Sequence, residues 1–314
     1  MALETAPLFE DLAGGPAGGR AWWLTTDDGT RIRVAHWGPA TPAKGTVLLF
    51  PGRTEYIEKY GRTAADLATR GYGTLTIDWR GQGLADRLLK DRRIGHVAQF
   101  TDYQKDIAAM LGLARGLDLP RPWHLLAHSM GGAIGLRWLM DGADVASAAF
   151  SAPMWGIFIA PLMRPAAEVW ARVGPSIGFA ASLPAGTTIE NYVQVQAFEG
   201  NTLTGDTQMY AMMQDQLAAQ PELGLGGPSL HWLREALAEC RGLKKRPSPD
   251  MPCLTFLGTR EQIVDPHPIH ARMDRWSRGE LVMVQGAEHE VLMETPAIRG
   301  DATDRMVAFF TAHS

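Results

Sequence analysis

Two segments of the sequence place a serine between small residues in the pattern G-x-S-x-G, in which a serine can act as a nucleophile. Residues 174–178 match the pattern in full around Ser176, whereas residues 127–131 match it around Ser129 with alanine in the first position. Such a nucleophile needs a strand before it and a helix after it, because the turn between them exposes the hydroxyl. Ser129 follows the apolar run WHLLAH and opens a long apolar helix, while Ser176 follows the end of a predicted helix and precedes Pro184. We therefore predict that Ser129 is the nucleophile and that Ser176 lies in a turn.

A serine hydroxyl needs a base to take its proton and an acid to orient that base. With a strand–serine–helix turn of this kind, the order along the chain is serine, acid, histidine. Among the nine histidines, His289 follows the last predicted strand in the loop GAEHEVLME. The acid is expected in the loop 258–265, where Glu261 is favoured. Asp265 stays the alternative acid, although it could equally cap a helix that begins at Pro266.

Two backbone N–H groups are predicted to stabilise the negative charge that develops when the nucleophile attacks a carbonyl. One belongs to Met130, directly after the nucleophile, and the other to Arg53, in the loop after an earlier strand. Each donor of such an oxyanion hole is worth about 3 kcal/mol in the transition state.

The strands that must position these residues are short apolar runs that alternate with helix patterns. The runs lie at residues 46–50, 72–79, 123–129, 145–153, 253–258 and 280–287. Strands that are apolar on both faces and alternate with helices indicate a mostly parallel sheet flanked by helices. The alternation stops in a helical stretch rich in Met, Trp and Phe. We predict an α/β fold in three parts: a first core part at 1–153, an inserted helical cap at 154–228, and a second core part at 229–314.

The amino-terminal segment precedes this alternation. Its glycine-rich residues 14–19 are interpreted as a flexible lead-in. The residues that follow predict a hairpin that turns at Asp28 and Gly29.

Composition and charge argue against several classes of protein. The net charge of −4 gives no reason to expect nucleic-acid binding. No apolar run reaches the roughly 18 residues of a membrane span, and the first residues lack the basic and apolar regions of a signal peptide. Cys240 and Cys253 are spaced unlike a zinc site or a redox pair, and they are predicted to be reduced. Residues 80–83 lack the third glycine of a dinucleotide loop, so we expect no such cofactor, and we expect no other cofactor and no metal. The cysteines and the lack of a membrane span or signal peptide favour a cytoplasmic protein. Peripheral membrane contact and the oligomeric state stay open.

Four segments together resemble the lysophospholipase and monoacylglycerol-lipase branch of the α/β hydrolases. They are PGRTEYIEKY, IDWRGQGLADRLLKD, AHSMGG and GAEHEVLME, and the resemblance covers the chain from about residue 45 onwards except most of the cap. Three positions depart from the usual pattern of this branch. Pro51 stands where His usually precedes Gly52, Ala127 replaces glycine, and the acid position holds Glu261 instead of aspartate.

The resemblance implies hydrolysis of a lipid-like carboxylic ester, a lysophospholipid or a monoacylglycerol, through an acyl-enzyme on Ser129. The cap of such enzymes shapes the substrate pocket, and flexible Met and flat aromatic side chains suit an acyl chain. The candidate contacts are Met154, Trp155, Phe158, Tyr192, Met209 and Met213. The basic loop 87–93 is interpreted either as a solvated surface or as an attractor for a phosphate headgroup or a membrane.

Two alternatives stay open. The chain could be a proline-iminopeptidase-like amidase, in which cap carboxylates such as Glu168, Glu190 or Glu199 would hold a free amine. It could also be a non-catalytic ligand-binding homologue that keeps the fold.

Overall fold

The computed structural model describes residues 3–39 and 43–314. Among these residues, one sheet of nine strands has the order β1-β2-β3-β5-β4-β6-β7-β8-β9. The strands are β1 (Glu4–Ala6), β2 (Arg20–Thr25), β3 (Arg31–Trp37), β4 (Gly45–Phe50), β5 (Tyr72–Asp78), β6 (Trp123–His128), β7 (Ser147–Ser151), β8 (Cys253–Gly258) and β9 (Gly279–Val284). The pairs β1–β2, β2–β3 and β3–β5 are antiparallel. Every pair from β5–β4 to β8–β9 is parallel.

The helices of the described residues lie on both faces of the sheet and over one end of it. They are α1 (Glu10–Ala13), α2 (Gly61–Ala68), α3 (Tyr103–Gly116), α4 (Met130–Met140), α5 (Arg164–Val173), α6 (Tyr192–Val195), α7 (Thr207–Ala219), α8 (Leu230–Lys245), α9 (Pro266–Met273) and α10 (Pro296–Ala312). Helices α3, α4, α8 and α9 contribute to the core cluster on one face, and α2, α7 and α10 to that on the other. The central strands β4 to β8 are therefore buried throughout. The predicted mostly parallel sheet flanked by helices is confirmed.

The glycine-rich segment near the amino terminus differs from the prediction. The hairpin of β2 and β3 is present, but β1 adds a further antiparallel strand at its outer edge. The interpretation of residues 14–19 as a flexible lead-in is wrong, because Gly15 and Gly19 pack against the buried indole of Trp37. A Cβ atom on Gly15 would lie 2.7 Å from the Trp37 Nε1 atom. These glycines allow close approach to an aromatic ring, a requirement that composition alone does not show.

The segment between β7 and β8 carries α5, α6 and α7 before the chain returns to the core with α8. Ser229 caps α8, its hydroxyl accepting the backbone N–H of Trp232 at 3.0 Å. The predicted domain boundaries at 153/154 and 228/229 stay predictions. None of the described helices combines the length and the apolar character that crossing a bilayer requires.

Candidate active site

Ser129 sits in a strained turn between β6 and α4. Its backbone has φ 49° and ψ −117°, in a region that side-chain-bearing residues rarely adopt. Glycines after it make the turn sterically feasible. A Cβ atom on Gly131 would collide with the backbone carbonyl of Phe50, and one on Gly132 would lie 2.5 Å from the Pro153 Cβ atom. This turn places the hydroxyl of Ser129 at the carboxyl end of the sheet, where the loops that follow the parallel strands meet.

His289 and Glu261 reach Ser129 from the loops after β9 and β8. The His289 Nε2 atom lies 3.0 Å from the Ser129 Oγ atom, and the His289 Nδ1 atom lies 2.7 Å from Glu261 Oε2. The other carboxylate oxygen of Glu261 accepts the backbone N–H groups of Ile263 at 2.6 Å and Val264 at 3.0 Å. Burial acts to raise the pKa of Glu261, but the neighbouring His289 and these hydrogen bonds hold it below its usual value. The structure thus brings together a hydroxyl, an imidazole and an ionised carboxylate in hydrogen-bonded sequence.

The two competing candidates from the sequence lie elsewhere. The carboxylate of Asp265 caps α9 by accepting the backbone N–H of His267 at 3.1 Å, and it also contacts the His267 ring. Ser176 is exposed in a short 3₁₀ turn, with neither a strand before it nor a long helix after it. Glu261 rather than Asp265, and Ser129 rather than Ser176, therefore adjoins His289.

The backbone N–H groups proposed for the oxyanion hole belong to the first residue of α4 and to the loop after β4. Neither Met130 nor Arg53 donates its backbone N–H to an acceptor among the described residues. The two loops are close, since a Cβ atom on Gly52 would lie 3.1 Å from the Ser129 Cβ atom. The geometry therefore leaves two N–H donors next to the serine without a protein partner.

A buried charged cluster behind the serine was missed by the sequence analysis. The Lys59 Nζ atom lies 2.7 Å from Glu55 Oε1 and 2.6 Å from Glu290 Oε1, and all three side chains are buried. The Tyr60 hydroxyl donates to Glu55 at 2.5 Å, and the His128 Nε2 atom lies 3.4 Å from the same carboxylate. No local pattern could reveal the cluster, because Glu290 lies 231 residues from Lys59 along the chain.

This cluster also contains a set of side chains that could hold a metal ion. Ligand atoms of Glu55, His128 and Glu290 lie within 4.8 Å of one another. The Lys59 ammonium, however, already contacts both carboxylates. Burial raises the pKa of Glu290, whereas Lys59 and His128 outweigh burial and lower that of Glu55. The lysine thus already places a positive charge against both carboxylates.

A cavity of about 830 Å³ opens above Ser129 and His289, a volume in the usual range for ligand sites. Four of the predicted substrate contacts line it: Met154, Phe158, Tyr192 and Met213. Most of the other lining side chains are apolar; they include Ile157, Met163, Trp170, Leu203, Leu217 and Trp232.

Two predicted substrate contacts do not line the cavity. Trp155 is buried in the core, where its indole N–H donates to the Gly132 carbonyl at 3.1 Å and its ring stacks on Trp276. Met209 is also buried and belongs to the core cluster on the face that carries α7. Neither is retained as a substrate contact, because core packing accounts for both.

The charged candidates of the sequence analysis also lie outside this cavity. Glu168, Glu190 and Glu199 are absent from its lining. The Arg87 guanidinium donates to four backbone carbonyls, and Arg93 pairs with Asp91 within its own loop. The carboxylates that do line the cavity are those of Glu55 and Glu290, and both contact the Lys59 ammonium.

A strained serine between a parallel strand and a helix, with its acid and histidine on the loops after later strands, defines the α/β-hydrolase fold. Solved structures with this fold are similar to the chain. A soluble variant of monoglyceride lipase from Saccharomyces cerevisiae has a TM-score of 0.72 at 19% identity, over 93% of this chain and 94% of that one. A carboxyl esterase from Bacillus coagulans has a TM-score of 0.76 at 13% identity, over 94% and 98%.

The sequence comparisons identify the family. The family model described as "Serine aminopeptidase, S33" matches residues 41–296, and the chain belongs to this family. Lysophospholipase L2 from Escherichia coli (strain K12) is 34% identical over 283 residues, which cover 85% of this chain and 81% of that protein. A monoacylglycerol lipase from Mycolicibacterium smegmatis is 26% identical over 155 residues, covering 48% and 52%. The predicted lysophospholipase- and monoacylglycerol-lipase-like branch is confirmed, and so is the enzyme class, a carboxylic ester hydrolase.

Proposed function

We propose that this protein hydrolyses the ester bond of a single-chain lipid, a lysophospholipid or a monoacylglycerol, through an acyl-enzyme on Ser129. One observation carries the proposal. The Ser129 Oγ atom lies 3.0 Å from the His289 Nε2 atom at the floor of a large and mainly apolar cavity. A nucleophile within hydrogen-bonding distance of its base is the geometry that acyl transfer needs.

The residues take the following parts in the reaction. The Ser129 oxygen attacks the ester carbonyl while His289 takes its proton, and Glu261 stabilises the imidazolium that forms. The N–H groups of Met130 and Arg53 bind the resulting oxyanion. His289 then gives its proton to the leaving alcohol, and it next activates the water that releases the fatty acid.

The cavity supports a substrate with one acyl chain. We assign contacts with the chain to Met154, Phe158, Tyr192 and Met213, which line the cavity. Thioether and aromatic side chains pack well against a methylene chain and adapt to its conformation. The names of the similar lysophospholipase and monoacylglycerol lipase support the same class of substrate.

Amide hydrolysis is the less favoured function, although the matched family model is described as an aminopeptidase. Holding a free amine requires a carboxylate that is available in the pocket. Both carboxylates that line the cavity already contact Lys59, and Glu168, Glu190 and Glu199 lie outside the cavity. A non-catalytic ligand-binding role is also less favoured, since such a protein has no need for Ser129, His289 and Glu261 in hydrogen-bonding sequence.

The test is hydrolysis of p-nitrophenyl esters from acetate to palmitate by wild type, Ser129→Ala and Ser176→Ala. We expect Ser129→Ala to lose activity and labelling by a fluorophosphonate. Ser176→Ala is the matched control, because it removes the serine of the second G-x-S-x-G pattern from an exposed turn, and it should behave as wild type. Equal activity of wild type and Ser129→Ala would exclude Ser129 as nucleophile. Activity on amides alone would favour the amidase, and no labelling of wild type would favour a binding protein.

We also propose that the exposed apolar residues around α5 contact a membrane surface peripherally. Leu162 is 96% exposed and Val169 is 63% exposed, while their neighbours Met163 and Trp170 line the cavity. A lipid leaving the bilayer could thus enter the site directly. In co-sedimentation with anionic vesicles, Leu162→Ser combined with Val169→Ser should bind less protein than wild type. Equal binding of both proteins would exclude this contact.

A cytoplasmic location remains part of the proposal. Cys240 and Cys253 are both buried and free, as expected for a protein kept in a reducing compartment. Burial raises the pKa of both thiols, which makes them unreactive packing residues. Fractionation of cells that produce the chain tests the location, and recovery in the membrane or secreted fraction alone would contradict it.

A further inference from the structure

Two cationic side chains line the cavity beside Ser129, and they differ in their partners. Lys59 contacts two carboxylates and is therefore neutralised. Arg53 forms no ion pair with any side chain in the described part of the chain. Arg53 is thus the one of the two whose charge is available to a ligand.

The guanidinium of Arg53 is held in place by neutral groups. Its Nη1 and Nη2 atoms donate to the same acceptor, the Gly226 carbonyl, at 2.9 and 2.7 Å. Its Cζ atom lies 5.4 Å from the ring centroid of Trp232. A guanidinium has five N–H donors, so three remain after these two hydrogen bonds. Burial lowers the pKa of Arg53 to about 10, which leaves it charged at neutral pH.

A mostly buried charge without a counter-charge is unfavourable in an isolated protein. The cost is understandable if a ligand supplies the counter-charge. We propose that the Arg53 guanidinium binds the phosphate of a lysophospholipid headgroup, so that the enzyme prefers this substrate to an uncharged monoacylglycerol. This inference rests on the proposed ester hydrolysis at Ser129.

The dimensions of the substrate agree with this assignment. In a glycerol-based lysophospholipid, six bonds separate the ester carbonyl carbon from phosphorus, a span of about 7 Å, since three backbone bonds span about 3.8 Å. The arginine backbone lies next to the nucleophile, because a Cβ atom on Gly52 would lie 3.1 Å from the Ser129 Cβ atom. Five bonds then separate the Arg53 Cα and Cζ atoms, so the guanidinium reaches a similar distance. A planar guanidinium also suits two oxygens of a phosphate better than an ammonium does.

The basic loop 87–93 is a weaker candidate for the same role. Arg87 is engaged by backbone carbonyls of Gly81, Gly83, Glu222 and Gly224, and it does not line the cavity. Arg87 therefore provides a matched control: its guanidinium also donates to carbonyls of the segment between β7 and β8, but it has no access to the substrate.

The experiment compares kcat/KM for lauroyl lysophosphatidic acid and monolauroylglycerol, which share the acylglycerol and differ in the phosphate. The proteins are wild type, Arg53→Gln, Arg53→Lys and Arg87→Gln. We expect Arg53→Gln to lower the ratio of the two kcat/KM values by about 10- to 100-fold, the worth of hydrogen bonds to a charged group. Arg53→Lys should keep part of the ratio, and Arg87→Gln should keep all of it.

Several results would overturn the inference. If Arg53→Gln lowers both kcat/KM values equally, the side chain only supports the oxyanion loop and the Gly226 segment. An unchanged ratio, or a wild type that hydrolyses monolauroylglycerol alone, would also exclude a phosphate site.

A binding measurement separates this inference from the proposed hydrolysis. If wild type hydrolyses neither lipid, the proposed function fails, and the phosphate site is then tested by calorimetry below the micellar concentration. The ligands are dodecylphosphocholine and dodecylglycerol, and the proteins are Ser129→Ala with and without Arg53→Gln. A loss of about tenfold in affinity for the phosphate ligand alone supports the site. Equal affinities of the two proteins for this ligand refute it.

Discussion

Replacing Glu261 by glutamine should reverse the tautomer of His289. One carboxylate oxygen of Glu261 accepts two backbone N–H groups, from Ile263 at 2.6 Å and from Val264 at 3.0 Å. The other accepts the His289 Nδ1 proton at 2.7 Å. In Glu261→Gln the carbonyl oxygen must stay with the two backbone donors, which cannot turn away. The NH₂ group then faces His289 and requires its Nδ1 atom to accept.

The imidazole that results carries its proton on Nε2, facing Ser129 across 3.0 Å. It can no longer take the proton of the Ser129 hydroxyl, although the backbone N–H groups of Met130 and Arg53 and the cavity are unchanged. In a Ser-His-Asp triad, changing the aspartate to asparagine enforces the wrong tautomer and lowers kcat about 10⁴-fold. We therefore expect a loss of about 10³- to 10⁴-fold in kcat, or about 4–5.5 kcal/mol of transition-state stabilisation.

The assay is hydrolysis of p-nitrophenyl butyrate, with thermal unfolding measured to check that the variant is folded. Asp265→Asn is the control, since asparagine caps a helix as well as aspartate does and Asp265 is engaged at the start of α9. This control should retain the wild-type kcat. A larger loss in Asp265→Asn than in Glu261→Gln would refute the reasoning and make Asp265 the acid.

Two further predictions concern stability. Lys59→Met leaves the buried carboxylates of Glu55 and Glu290 without their partner, and urea unfolding should show a loss of about 3–5 kcal/mol; a loss below about 1 kcal/mol would contradict the cluster. Burial lowers the pKa of His128 from 6.5 to about 3. The unfolded chain then binds more protons in this range, so stability falls as pH falls from about 6.5 to about 3, by about 1.4 kcal/mol per pH unit. His128→Asn should flatten this acid slope, and an unchanged slope would exclude His128 as its source.

The parallel strands and the strand–turn–helix setting of Ser129 were predictable because their signals are local. Strands buried on both faces are continuous apolar runs, so the predicted residues 46–50 and 253–258 agree with Gly45–Phe50 and Cys253–Gly258. Ser129 could be distinguished from Ser176 by the strand and helix on its two sides. In each case the elements next to a residue in sequence also determine its surroundings in the fold.

Contacts between distant segments were not predictable in this way. The pairing of Lys59 with Glu290 joins residues 231 positions apart. Trp155 and Met209 have the composition expected of an acyl pocket, but the direction of each side chain depends on tertiary packing. Trp155 turns towards Trp276, and Met209 turns towards the core. A single sequence shows that a segment is apolar, but not which of its side chains meets the cavity.

The loop after β4 connects headgroup recognition to the chemistry in this proposal. Arg53 offers its backbone N–H to the oxyanion and its guanidinium to the phosphate, while Glu55 fixes the loop through Lys59 to Glu290, the residue after His289. Binding energy from a part of the substrate that does not react raises kcat only when it improves the transition-state geometry. A phosphate on Arg53 would orient the same loop that carries the oxyanion donor. We therefore expect Arg53→Gln to lower kcat as well as raise KM for the lysophospholipid, because one short segment serves both sites.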